Sequence, residues 1–221
     1  MTDSSKQPQR VNASSSEANS KGDKFTRILE AALEVFAIKG FETARISDIA
    51  RRAGIGDGTV YLYFKSKDDI LISLFEVRLE EINKRLSDQL SQCANAQHKV
   101  EAIIDFHLKL ALDEPNFAVL VSNELRQSSK FMKDYTKEQL LEYTGQWESS
   151  FEEGRSSGLF RSDMSCGVIK HALFGALDHV VRVWINHPGR RSEALQELAV
   201  QLKALLFMGI NSDPSATKLN A

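Results

Sequence analysis

From Asp23 to about residue 210, apolar residues recur at three- and four-residue intervals, and no segment sustains apolar/polar alternation. That single pattern excludes a sheet-based fold and leaves an all-α one. The first helix is predicted over about 24–39, with Phe25, Ile28, Leu29, Ala32, Val35 and Phe36 as its inner stripe and Gly40 as a left-handed cap. Short helices follow at about 47–53 and 58–64. A long helix, capped by Ser66 and carrying Asp68 and Asp69 in its first turn, runs to about residue 92. Further helical periods cover about 97–112, 115–127, 131–156, 163–186 and 191–210. The expectation is nine helices, three short ones and then six longer.

Residues 1–22 are rich in Ser, Asn, Gln and Lys and read as a mobile arm, since they cannot bury enough apolar surface to offset the entropy of ordering. The N-terminus lacks the apolar core of a secretory signal, and no apolar run approaches the roughly 20 residues that span a bilayer. Only Cys93 and Cys166 occur, far apart. They suit a reducing cytoplasm and give no disulfide framework.

The stretch GIGDGTVYLYFKSK, 54–67, has glycines at 54, 56 and 58. A nucleotide-binding glycine loop needs a preceding strand, and here a short helix precedes it; the Walker pattern is absent as well. A bihelical DNA-binding unit accounts for more. Ala50 is the small residue where two helices cross, and Gly54 makes the turn. Asp57 is a candidate N-cap, and Gly58 lets the backbone approach a groove wall. Thr59, Tyr61, Leu62 and Lys65 face away from Val60 and Phe64, offering groups suited to phosphates and base edges. Between 39 and 67, six cations stand against three carboxylates in a chain whose net charge is −2. Any nucleic-acid surface is therefore a local patch. A solvated helical hairpin within an all-α core stays open as the plainer reading.

KGFETARISDIARRAGIGDGTVYLYFKSKDDIL, 39–71, resembles the signature of the TetR family of transcriptional repressors: Gly40–Phe41, the Ile49-to-Gly54 core, and the run from Gly58 to Lys67. The resemblance implies a three-helix DNA-binding domain, a larger helical ligand-binding domain, a homodimer and palindromic double-stranded operator DNA. It places the domains at 23–67 and 68–212, with a flexible tail at 213–221. Thr59, Tyr61, Tyr63 and Lys67 match positions that touch the operator, Lys67 by reaching a phosphate. Where family members often carry Ser or Thr near the start of helix two, this chain has Ala44 and Arg45. Arg45 offers a charged replacement, and Ser47 a cap for a slightly shorter helix. Segments 57–75, 123–128 and 174–185 also resemble the branch that represses fatty-acid degradation and leaves DNA on binding long-chain acyl-coenzyme A.

A sensor for such a ligand needs a long apolar tunnel. Phe106, Leu110, Leu120, Trp147, Phe151 and Phe174 are candidate wall residues, against the alternative that each is ordinary core. Asn123, Glu124 and Arg126 interrupt one apolar helix and Asp178 another, and they are candidate buried polar contacts or a structural ion pair. In the last two helices, Ala172, Leu173, Ala176, Val180 and Trp184, with Leu198, Leu202 and Leu205, read as a dimer seam; a helix central to one protomer is the alternative. No catalytic constellation, cofactor motif or close metal-ligand spacing stands out, so the expectation is neither an enzyme nor a metal sensor. An acyl-ligand carrier without operator binding, or a TetR-type repressor with another effector, remains open.

Overall fold

The computed structural model describes residues 13–127, 137–187, 189 and 192–212, with only the backbone of 13–21, 124–127 and 137. Nine helices occur among the described residues: α1 (Ala13–Lys39), α2 (Ile46–Ala53), α3 (Asp57–Tyr61), α4 (Lys67–Ser91), α5 (Ala96–Asp113), α6 (Pro115–Gln127), α7 (Lys137–Ser156), α8 (Cys166–Ile185) and α9 (Ser192–Ile210). The β-type pairing among the described residues is an isolated bridge, Phe160 with Asn211. α1 is not short, since it starts well before the expected 24. Most other boundaries fall within a few residues of those the periodicity predicts. Residues 1–12 of the expected arm and the expected tail at 213–221 lie outside the described residues.

The chain divides into two compact units between Leu71 and Ile72, inside α4. In the first unit, Ile28, Leu29, Ala32 and Phe36 of α1 are buried together with Ile49, Ala50 and Ala53 of α2, and α1 packs against α2. Ala50 is wholly enclosed, as a close helix crossing requires. α2 ends in a Schellman motif. Gly54 adopts φ 66°, its N–H donates to the Arg51 carbonyl, and the Ile55 N–H donates to the Ala50 carbonyl. A side chain from α1 reinforces this end: Arg27 Nη2 donates to the Ala53 carbonyl at 2.6 Å. α3 is held by Val60 and Phe64, and Phe64 stacks on Phe25 with ring centroids 5.1 Å apart.

In the second unit α5 is central and packs against α6, α7, α8 and α9. Its N-terminus is capped by Asn95, whose side chain accepts from the His98 N–H at 3.0 Å. Its buried stripe includes Val100, Ile103, Ile104 and Ala111. Lys203 of α9 pairs with Asp105 of α5 at 2.6 Å, and Lys170 of α8 with Glu148 of α7 at 2.6 Å. α7 must pass close to Phe160, because a Cβ on Gly154 would stand 2.1 Å from that ring. This close packing gives Gly154 its place in a helix where glycine otherwise costs stability.

Candidate functional site

Two sites take shape, one in each unit. In the first, α2 and α3 form the two arms of a helix-turn-helix. Gly56 rather than Asp57 is the N-cap of α3, with extended backbone and no side-chain cap, so Asp57 is the first helical residue. α3 closes after Tyr61, three residues short of the expected 64. Val60 and Phe64 face inward, while Tyr61 is 58 % and Leu62 82 % exposed. Thr59 and Tyr63 are half-buried, and Gly58 and Lys65 are exposed. No atom lies within 4 Å of where a Cβ on Gly58 would stand, so the protomer itself leaves that place open.

α2 begins at Ile46 with Arg45 as its N-cap, and Ser47 therefore lies inside the first turn and does not cap it. The Arg45 N–H donates to the Asp48 carboxylate at 3.2 Å, the reach-back of a capping box. Asp48 also pairs with Lys39 at 2.8 Å. The Lys39 ammonium first, and then the Arg45 N–H, hold the Asp48 carboxyl below its ordinary range.

Lys67 departs from its expected place on a phosphate. Its Nζ donates to the Phe41, Glu42 and Ala44 carbonyls at 2.6, 3.0 and 3.1 Å and lies 4.5 Å from the centre of the Phe41 ring. An ammonium has three protons, and three carbonyls of the α1–α2 corner take them. Arg52 pairs with Glu34 and Lys39 with Asp48. Of the six cations counted from the sequence all but Lys67 are exposed; Lys39 and Arg52 are held by carboxylates, and Arg51 makes a longer contact of 3.7 Å to Asp48.

The second unit holds an apolar chamber that is partly open to solvent. α4 supplies Leu79 and Ile82 to its wall, α5 His107, Leu110 and Ala111, and α6 Phe117, Ala118, Val121 and Ser122. Leu140 and Tyr143 come from α7, and Phe174, Asp178 and Val181 from α8. Of the expected ligand residues, Leu110, Phe174 and Asp178 line this chamber. Phe106, Leu120, Trp147 and Phe151 are buried core and do not line it, and Asn123 is exposed instead of buried. The side chains of Glu124 and Arg126 lie outside the described residues, as does the ion pair expected of them.

His107 and Tyr143 are the residues that the sequence pattern did not single out. The His107 Nδ1 and the Tyr143 hydroxyl form a hydrogen bond of 3.1 Å. Burial pushes the imidazole down to about 4 and raises the phenol, so both are neutral near pH 7. Trp147 stands edge-on to both rings and close to Phe174. The available signal was a lone histidine amid the apolar stripe of α5.

The outer faces of the last two helices carry exposed apolar side chains among polar ones. Val168, Val183, Val200, Leu205 and Met208 are exposed, as is Ala172. Ala176, Val180, Trp184, Leu198 and Leu202 are half-buried. Leu173 is a correction: it lies with Ile169, Leu177 and Val181 on the inner face of α8, buried in its own protomer. Cys166 is buried and donates to Glu152 at 3.3 Å. Burial first, and then Glu152, push its thiol up, away from the thiolate a redox sensor uses. Among the described residues no three His, Cys, Asp or Glu gather as metal ligands, and no helix is long and apolar enough to cross a membrane.

The model of bacterial regulatory proteins of the tetR family matches residues 28–74, and that of the YsiA-like protein C-terminal region matches 75–209. The fatty acid metabolism regulator protein of Bacillus subtilis (strain 168) is 32 % identical over 192 residues, 87 % of this chain and 98 % of that one. The solved fatty acid degradation regulator FadR of Bacillus halodurans is 30 % identical with a TM-score of 0.78, over 84 % of this chain and 95 % of that one. FadR of Bacillus subtilis, solved in complex with stearoyl-CoA, is 32 % identical with a TM-score of 0.78, over 85 % of this chain and all of that one. With its helix-turn-helix unit, its second helical unit and these likenesses across both, the chain belongs to the TetR family of bacterial regulators, near the fatty-acid regulators.

Proposed function

We propose that the chain is a transcriptional repressor that binds a palindromic operator as a homodimer and releases it when a long-chain acyl-CoA enters the chamber of the second unit. The observation that carries this reading is α4. The helix begins at Lys67, in the helix-turn-helix unit, and runs unbroken into the second unit, where its Leu79 and Ile82 form part of the chamber wall. An effector that prefers one setting of α4 over another thereby changes operator affinity, and only that preference can do so.

On the DNA side, the exposed Gly58, Tyr61 and Lys65, with Thr59 and Tyr63 beside them, meet the operator. Arg45 and Ser47 at the start of α2 lie against the backbone. Lys67 acts through the α1–α2 corner that it ties together. The exposed apolar faces of α8 and α9 close the dimer around Ala172, Ala176, Val180, Trp184, Leu198, Leu202 and Leu205; exposed apolar area of this kind marks interaction sites. The dimer sets two α3 helices about 34 Å apart, one helical turn of DNA. The acyl effector draws its support from the stearoyl-CoA held by the Bacillus subtilis relative and from the apolar chamber lined here.

A gel shift on DNA upstream of the chain's own coding sequence tests both halves. Retardation at low salt, abolished by stearoyl-CoA, is the expected result. Tyr61→Ala with Lys65→Ala should weaken binding by about 1–3 kcal/mol for each side chain truncated. Unchanged affinity in that variant removes the interface assigned to α3, and a shift that ignores every acyl-CoA removes the effector.

A further inference from the structure

The chamber wall is apolar except at a few points, and at one of them the hydrogen-bond count does not close. His107 and Tyr143 both line it and share one hydrogen bond of 3.1 Å. A neutral imidazole carries one N–H, and a phenol one O–H, so the pair owns two donors and uses one between them. If the hydroxyl donates to Nδ1, the N–H on Nε2 is left over; if Nδ1–H donates, the hydroxyl proton is left over. Neither side chain has another hydrogen-bond partner among the described residues, so either tautomer leaves one donor. Trp147, packed against both rings, adds a second: its Nε1–H is buried and has no partner among the described residues. Unpaired donors in an apolar setting are costly, and native structures satisfy nearly all of them.

We infer that the chamber reads one uncharged acceptor oxygen set in an apolar chain, the thioester carbonyl of an acyl ligand, through the donor left over by the His107–Tyr143 pair. This rests on the acyl-effector reading above and adds the atom that is recognised. A carboxylate suits the place less well. Among the described lining residues none is a Lys or Arg. Burial keeps His107 uncharged near pH 7. A carboxylate would find no counter-charge among these described residues, which the low dielectric penalises. A carbonyl oxygen needs only the donor already present.

The test compares stearoyl-CoA with its S-octadecyl thioether, which keeps the chain and the coenzyme and replaces the carbonyl by a methylene. Titration calorimetry on the full chain should find the thioether about tenfold weaker, the scale of one buried donor left unpaired. His107→Phe with Tyr143→Phe keeps the aromatic volume and removes both donors, so the two ligands should then bind alike. Equal affinities in the unmutated protein overturn the inference while the acyl effector stands. So does discrimination that persists in a folded double variant. Failure of both ligands to bind overturns the effector reading and this inference together. Should the double variant not fold, ¹⁵N spectra of the imidazoles of the unmutated protein supply the second arm. The His107 resonances should respond differently to the thioester and the thioether, and identical responses to both sink the proposal.

Discussion

Gly58 has open space where a side chain would begin, an ordinary negative φ, and a place in the first turn of α3. Nothing inside the protomer calls for a glycine there, and a helix favours alanine by up to about 1 kcal/mol. If the open space is the place of a groove wall, Gly58→Ala should raise the melting temperature and weaken operator binding together. Calorimetry and a gel shift on the same preparation would show this; an alanine variant with undiminished operator affinity removes the close approach. The residue scale is also where the sequence was hardest to read. Tyr61 and Leu62 were legible as outward-facing because one local period fixes them against Val60 and Phe64. His107 and Tyr143 stand 36 positions apart and meet only through helix packing, so no local pattern announces the pair. Trp147 and Phe151 show the converse, since helical spacing looks the same for a cavity wall and for solid core.

The helices themselves were largely readable, because burying one face imposes a period that capping and turn residues punctuate. α5 and α6 fall within a residue or two of their expected bounds. α3 is shorter than expected because Tyr63 and Phe64 continue in a turn, with N–H groups on the Val60 carbonyl. The entry of α2 depends on Asp48, which joins the Arg45 N–H and Lys39. Its folded pKa lies below the unfolded value near 3.8, so its stabilising effect is present above that pH and is lost as pH falls through the depressed folded value. Asp48→Asn should therefore lower stability at pH 7 and make progressively less difference in acid. Denaturant melts of both proteins from pH 7 to pH 2 measure it, and a gap that stays constant with pH would mean the carboxylate charge contributes nothing.

At the scale of the molecule, the sequence carried the division into a DNA-reading head and a sensor, because the head's motif is contiguous in the chain. It did not carry which side of α8 faces outward. Both sides are apolar, and only the packing of Ile169, Leu173, Leu177 and Val181 against their own protomer singles out the other. Leu205, 72 % exposed, is the plainest probe of the seam. Leu205→Glu should leave the helical content intact and turn a dimer into monomers in sedimentation, with operator binding weakened because one head alone contacts half a palindrome. A variant that still sediments as the unmutated protein does would place the seam elsewhere.

The Lys67 clasp has a further consequence for the grip on DNA. Ammonium protons already seated on main-chain oxygens displace few sodium or potassium ions from a duplex, and Lys39 and Arg52 are likewise engaged with carboxylates. From residues 39 to 67 the counterion contribution to binding then comes from Arg45, Arg51 and Lys65. On the proposed operator interface, hydroxyls and main-chain amides would then carry a larger part of the hold on the duplex, with little regard to the ionic strength of the cell.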